Sequence, residues 1–103
     1  MNQKEYLDIC DSTYVHDSNV NREILHATLG LVGEAGEVSD IIKKLEFYPP
    51  DKHPKDSENK LLLELGDVMY YLTILIDLSG FTWDDVMEAN VAKLSKRYPD
   101  RNG

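Results

Sequence analysis

Apolar residues recur at helical intervals along almost the whole of this 103-residue chain. Apolar residues at every third or fourth position mark the buried face of an α-helix, whereas a half-buried strand alternates apolar with polar residues. No segment of the chain shows convincing strand alternation. The pattern therefore predicts an all-α fold.

Four helices are predicted, over residues 6–14, 21–45, 57–79 and 83–98. The polar stretch 16–21 offers several residues that can cap the second helix, and Asp56 or Ser57 can cap the third. Gly80 is a natural end for the third helix. Thr82 is the predicted cap of the last helix, which Pro99 closes.

A loop is predicted between the second and third helices. Pro49, Pro50 and Pro54 lie among charged residues in the stretch 46–56. Proline removes a backbone donor and disfavours helix in the residue before it. Because this loop is short, the two flanking helices are predicted to return antiparallel, as in a helical hairpin.

The length corresponds to a single domain, residues 1–103, with a modest core of its own. The apolar run at 68–76 is longer than one sheltered helix face requires. We therefore expect an all-α four-helix bundle that is completed by homo-oligomerisation. A homodimer and a homotetramer remain equally open at this stage.

The formal net charge of −8 argues against long-range attraction to nucleic acid or to an anionic membrane. Cys10 is the only cysteine, which excludes an internal disulfide and fits a reducing compartment. No stretch resembles a signal peptide or a membrane span. The sequence therefore predicts a cytoplasmic protein with no nucleic-acid or membrane partner.

Two carboxylate pairs lie in the predicted hairpin, Glu34 with Glu37 and Glu64 with Asp67. Residues three apart lie side by side on a helix, so each pair can hold a cation between two carboxylates. Most helical acids simply face solvent, but both pairs lie in apolar sequence, where unpaired carboxylates are poorly solvated. Oxygen donors suit a hard divalent ion, Mg²⁺ or, in its place, Mn²⁺.

The two pairs are predicted to meet across the hairpin. Counted back from the loop, Glu37 is level with Glu64, and Glu34 is level with Asp67. His26 lies about 12 Å before Glu34 along the helix, too far to share an ion with it.

The glycines of the two helices are expected to bring the helix backbones close together, since each mid-helix glycine costs about 1 kcal/mol relative to alanine. They are Gly30, Gly33, Gly36 and Gly66.

Three segments resemble the MazG-like nucleotide pyrophosphohydrolases: residues 29–38 (LGLVGEAGEV), 63–68 (LELGDV) and 90–99 (NVAKLSKRYP). The family pattern is EExxE, a spacer, then ExxD. The chain departs from it at Gly33 and Leu63, where the family often has a further acid, while the four acids named above are intact. The resemblance implies Mg²⁺-dependent cleavage of a nucleoside triphosphate between its α and β phosphates.

Carried onto this sequence, the resemblance makes metal ligands of four residues, Glu34, Glu37, Glu64 and Asp67. Our hypothesis is that Glu34 or Glu37 also accepts the proton of the attacking water. In the last helix, the resemblance implies that substrate phosphates are held by Asn90, Lys93 and Arg97. A purely solvated basic face is the alternative for these last residues.

Two other functions stay open. Phosphoribosyl-ATP pyrophosphohydrolases belong to the same superfamily, and a non-catalytic helical oligomerisation module could retain an acidic metal site. Substrate screening separates all three.

Overall fold

The computed structural model describes residues 1–101 and contains four α-helices. They are α1 (Gln3–Thr13), α2 (Val20–Phe47), α3 (Ser57–Leu78) and α4 (Trp83–Arg97). No strand occurs within that range, so the predicted all-α class is confirmed. The last two residues of the predicted domain 1–103 lie outside the described residues.

Three of the helices begin at polar residues whose side chains cap the first turn. Asn2 accepts a hydrogen bond from the Glu5 backbone at 2.9 Å, and Asn19 caps α2. Thr82 and Asp85 form a reciprocal capping box of 3.1 and 2.9 Å at the start of α4. The predicted role of Thr82 is confirmed, and the box satisfies donors that a helix start leaves unpaired.

The α2–α3 connection differs from the prediction in detail. α2 ends at Phe47, two residues later than predicted, because the first proline comes only at Pro49. The loop also contains a short 3-10 helix, Pro50–Lys52, which the fixed φ of proline favours at its first position. Asp56 occupies the cap position of α3 in a left-handed conformation, φ 54°, without a side-chain capping bond.

The end of α3 agrees with the prediction. Gly80 follows the helix at φ 84°, a conformation that glycine adopts without steric cost. The Phe81 backbone then donates to the Ile76 carbonyl at 3.1 Å, which satisfies one of the last acceptors of α3.

α2 and α3 pack against each other as an antiparallel hairpin. Gly30 lies against Tyr71, and Glu34 lies near Asp67, so residue numbers rise along one helix as they fall along the other. α1 packs on the same hairpin through a core cluster drawn from all three helices and the α1 C-cap. Its buried members are Cys10, Tyr14, Ala27 and Ile74.

α4 lies largely apart from this core. Within the described range it contains no buried residue, and it is joined to α3 by a hydrogen bond from Trp83 to Thr73. The radius of gyration is 16.9 Å, whereas a compact chain of this length has about 13 Å. The single chain therefore leaves a helix face without a partner.

Searched over residues 1–101, the chain has no helix that combines the length and the apolar character needed to cross a membrane.

Candidate metal-binding site

Three carboxylates converge where α2 faces α3. Glu34 comes from α2, while Glu64 and Asp67 come from one face of α3. One oxygen from each lies within 4.8 Å of the others. The structure thus brings together three of the four predicted metal ligands.

Glu64 has the feature that best suits cation binding. Its Oε2 is buried and, among the described residues, has no hydrogen-bond partner. A buried polar atom without a partner costs about 1–3 kcal/mol, so native proteins rarely leave one. A neighbouring carboxyl group can donate only when it is protonated, because an ionised carboxylate only accepts.

The cluster changes the acidity of Glu34. Its interaction with the Glu64 carboxylate, followed by burial and by the charges of Asp67 and Glu37, raises the pKa of Glu34 from 4.5 to about 7. Like charges this close disfavour ionisation, and a proton shared between two of the carboxylates relieves the repulsion. A divalent cation would relieve it more completely.

The donor set fits a hard divalent cation. All three groups offer carboxylate oxygen, and two of them belong to half-buried residues. The Glu64 Oε2, which has no hydrogen-bond partner among the described residues, could bind a cation. Mg²⁺ prefers oxygen ligands and needs only one or two protein carboxylates, its other positions being filled by water or phosphate.

Glu37, the fourth predicted ligand, lies outside this three-carboxylate cluster. It is exposed on α2, about one turn after Glu34, and its charge still contributes to the raised pKa of Glu34. The structure therefore places Glu34, but not Glu37, in the cluster.

The predicted phosphate-binding residues lie on α4, outside the three-carboxylate cluster. Asn90 and Lys93 line a surface cavity on α4, and Arg97 ends the same helix. The other residues around that cavity are Phe81, Asp85, Val86 and Ala89, so none of the clustered acids borders it.

Two further side chains near the site have other partners. Asp40 pairs with Lys44 at 2.7 Å and with Lys43 at 3.4 Å, which lowers the pKa of Asp40 and makes it part of the surface. His26 is exposed and stacks on Tyr14 with ring centres 5.3 Å apart.

Two tyrosines approach the site without having been predicted there. Burial, together with the thiol of Cys10 and the charge of Asp67, raises the pKa of Tyr6 to about 12. Tyr6 lies on α1, near enough for the charge of Asp67 to act on it, and no local sequence signal marks this proximity. Tyr71 follows Asp67 by four residues, so helical spacing alone could have placed it on the same face.

The chain is similar in sequence to two curated proteins over about two thirds of its length. The chain is 37% identical over 73 residues to the uncharacterised protein YvdC of Bacillus subtilis (strain 168), covering 66% of this chain and 69% of YvdC. It is 35% identical over 72 residues to the Gene 37 protein of Mycobacterium phage L5, covering 70% of this chain. The match spans 63% of the phage protein, a little under two thirds of its length.

No solved structure matches the chain. The family model of the MazG nucleotide pyrophosphohydrolase domain matches residues 22–102, which include all three clustered acids and most of α2 to α4. The chain therefore belongs to the MazG nucleotide pyrophosphohydrolase domain family.

Proposed function

We propose that the chain is a Mg²⁺-dependent nucleoside triphosphate pyrophosphohydrolase, one domain that converts a (d)NTP and water into a (d)NMP and pyrophosphate. The observation that carries the proposal is the buried, unpartnered Glu64 Oε2 inside a three-carboxylate cluster of a MazG-family chain. A role in cytoplasmic nucleotide-pool sanitation is consistent with this reaction.

Glu34, Glu64 and Asp67 would hold the ion, and Glu37 lies within one helical turn of Glu34, outside this cluster. A bound Mg²⁺ would neutralise the triphosphate, polarise the attacked phosphorus and lower the pKa of water beside it. The protein contributes position and charge, on which phosphoryl transfer mainly depends.

Glu37 is the better candidate for accepting the proton of the attacking water. Its exposed carboxylate lies outside the cluster, whereas the Glu34 carboxylate is engaged with Glu64. A general base must reach the water without being consumed as a ligand. Glu37→Gln is thus expected to abolish turnover while Mg²⁺ binding persists.

A second copy of the chain is part of the proposal. The single chain exposes apolar side chains on three helices, and α4 has no buried residue in the described part. These exposed side chains are Leu25, Leu29, Val32, Leu62, Leu65, Met69, Met87, Val91 and Leu94. In a homodimer or homotetramer they would cover one another, since small cores are commonly completed in this way.

Association would also place cationic side chains near the acids. An acidic protein repels a triphosphate, so phosphate contacts need cations besides the metal. Lys93 and Arg97 lie four residues apart on α4, outside the three-carboxylate cluster. In an oligomer, the α4 of one copy would bring them to the acids of another.

The test is incubation with Mg²⁺ and a panel of ribo- and deoxyribonucleoside triphosphates and phosphoribosyl-ATP, with all phosphate products resolved. Monophosphate plus pyrophosphate, lost in EDTA and in Glu64→Gln, is the expected result. Asp40→Asn is the matched control, because that α2 acid is paired with lysines away from the cluster. Diphosphate plus orthophosphate would contradict the proposal. Absence of any product, despite Mg²⁺ binding, would favour a non-catalytic module.

A further inference from the structure

Gly30 of α2 and Tyr71 of α3 touch one helical turn away from the acidic cluster. Gly30 precedes Glu34 by four residues and Tyr71 follows Asp67 by four, so each shares a helix face with an acid, about 6 Å along the axis. A Cβ at Gly30 would lie 2.5 and 2.6 Å from Cδ1 and Cζ of Tyr71 and would also overlap Cε1. The space between α2 and this ring cannot hold a methyl group.

Gly30 differs in this respect from the other helical glycines. At Gly33, Gly36 and Gly66, an added Cβ would meet nothing within 4 Å in the described part of the chain. Of the four glycines expected to bring the helix backbones together, only Gly30 meets the other helix in the described part of the chain, and it meets the Tyr71 ring, not the α3 backbone. There the cost of a mid-helix glycine, about 1 kcal/mol, is offset by a contact that no other residue permits.

The Tyr71 ring is restrained on two sides. It meets the Tyr70 ring edge-on, with centroids 5.2 Å apart at 84°, and the His26 ring at 6.2 Å and 74°. His26 in turn stacks on Tyr14 of the core. A ring held in this way cannot swing freely from an added methyl group, so the helix backbones would have to move apart instead.

The acids one turn away need the helices to stay close. Three carboxylates with oxygens within 4.8 Å of one another repel and tend to push α2 from α3. A metal site must hold its ligands within a few tenths of an ångström, which requires support from neighbouring residues. The contact between Gly30 and Tyr71 lies where it can oppose that repulsion.

We propose that Gly30 and Tyr71 are a positioning pair, whose contact sets the separation of α2 and α3 and keeps Glu34 at metal-binding distance from Glu64 and Asp67 before any metal binds. The inference rests on the metal site of the proposed function. It concerns ligand geometry, and neither residue is assigned a contact with the ion or the substrate.

The test uses Mn²⁺ as the probe, with free Mn²⁺ followed by its electron paramagnetic resonance signal. Gly30→Ala is expected to weaken Mn²⁺ binding about tenfold, the lower end of the effect of a residue that orients ligands. Gly33→Ala, the matched glycine with open space around it, should change the affinity by less than about twofold.

Substitutions of Tyr71 test the role of the second residue of the pair. Tyr71→Phe keeps the ring and should bind Mn²⁺ like the wild type, whereas Tyr71→Ala should bind about tenfold more weakly. Adding Gly30→Ala to Tyr71→Ala should cost nothing further, because the ring that the methyl group would meet is gone. Additive losses would contradict a shared positioning role.

The outcomes separate this inference from the metal site itself. Wild-type Mn²⁺ affinity no better than that of Glu64→Gln would refute the metal site. Wild-type binding with equal affinities for Gly30→Ala and Gly33→Ala would refute the positioning pair alone. If Gly30→Ala loses its helical circular dichroism, the Mn²⁺ affinities of Tyr71→Ala and Tyr71→Phe are compared instead. Equal affinities of these two variants would overturn the inference.

Discussion

The indole nitrogen of Trp83 donates a 3.0 Å hydrogen bond to the hydroxyl of Thr73, which joins the first turn of α4 to the C-terminal third of α3. Thr73 is only 1% exposed, so water cannot readily replace a lost donor. This bond ties an otherwise unburied helix to the core.

Trp83→Phe is expected to lower the free energy of unfolding by about 1–3 kcal/mol, because it leaves the buried Thr73 hydroxyl without its donor. Urea denaturation measures the loss. The double variant Trp83→Phe with Thr73→Val should recover part of it, since neither polar partner then remains unsatisfied. Equal stability of Trp83→Phe and the wild type would show that the bond contributes little.

The raised pKa of Glu34 makes the stability of the metal-free protein depend on pH. Because its folded pKa of about 7 exceeds the ordinary 4.5, the folded state holds an extra proton between these values. Stability from this group is complete below pH 4.5 and is lost as the pH rises through about 7. Urea midpoints of the metal-free protein should therefore fall across this interval.

Glu34→Gln isolates that contribution. The pKa of His16 is also raised, by the Asp11 carbonyl and by Glu23, and stability from His16 is likewise lost as pH rises. The variant keeps the His16 effect and removes that of Glu34, so its midpoint should fall less. Saturating Mg²⁺ should also diminish the fall in the wild type. If the urea midpoints of the wild type and Glu34→Gln fell in parallel with pH, Glu34 would not be the source of the pH dependence.

Glu23 is expected to stabilise the connection between α1 and α2. Its side chain is 8% exposed, and Oε1 accepts from the Asp17 backbone at 2.7 Å and contacts His16 at 3.2 Å. Glu23→Ala should cost about 1–3 kcal/mol in urea denaturation, because the Asp17 amide loses its acceptor. Asp8→Ala, which breaks an exposed ion pair with Lys4, should change the midpoint far less.

Mg²⁺ should raise the melting temperature of the wild type, since a ligand that binds only the folded state stabilises it. Glu64→Gln should remove this response and, without metal, should melt no lower than the wild type because one repelling charge is gone. Asp40→Asn should keep the full response. Differential scanning fluorimetry with and without EDTA measures all three, and an unchanged response in Glu64→Gln would disprove its role.

A charge on the exposed apolar face should disrupt the proposed oligomer. Val32 is 67% exposed on α2, and Val32→Glu should lower the mass measured by light scattering after size exclusion. Val15→Glu is the control, because Val15 is 77% exposed but lies in the α1–α2 connection. A monomeric wild type, or equal masses for the two variants, would count against this face as the interface.

Local signals in the sequence predicted most of the helices and their ends. Thr82 and Gly80 act through hydrogen bonds and torsions within a few residues, so their effects can be read without the fold. The meeting of Glu34 with Glu64 and Asp67 was also predictable, because a short loop leaves two helices few ways to return.

Features that depend on distant packing were not predictable in this way. The position of α4 relative to the acids follows from contacts across the fold, and the helical periodicity around Lys93 contains no information about it. Gly30 and Gly33 look equivalent in sequence, yet the ring of Tyr71 from another helix distinguishes them. The exposed position of Glu37 likewise depends on how α2 is rotated against α3.

The turn at Gly80 determines the direction in which α4 leaves α3. The capping box at Thr82 stabilises the first turn of α4, and the 15 residues of this helix span about 22 Å. A rotation of about 20° at the turn would carry Arg97, at the far end, through about 8 Å. The position of the Arg97 charge therefore depends on the backbone angle at Gly80 together with the Trp83–Thr73 hydrogen bond, which fixes the first turn of α4.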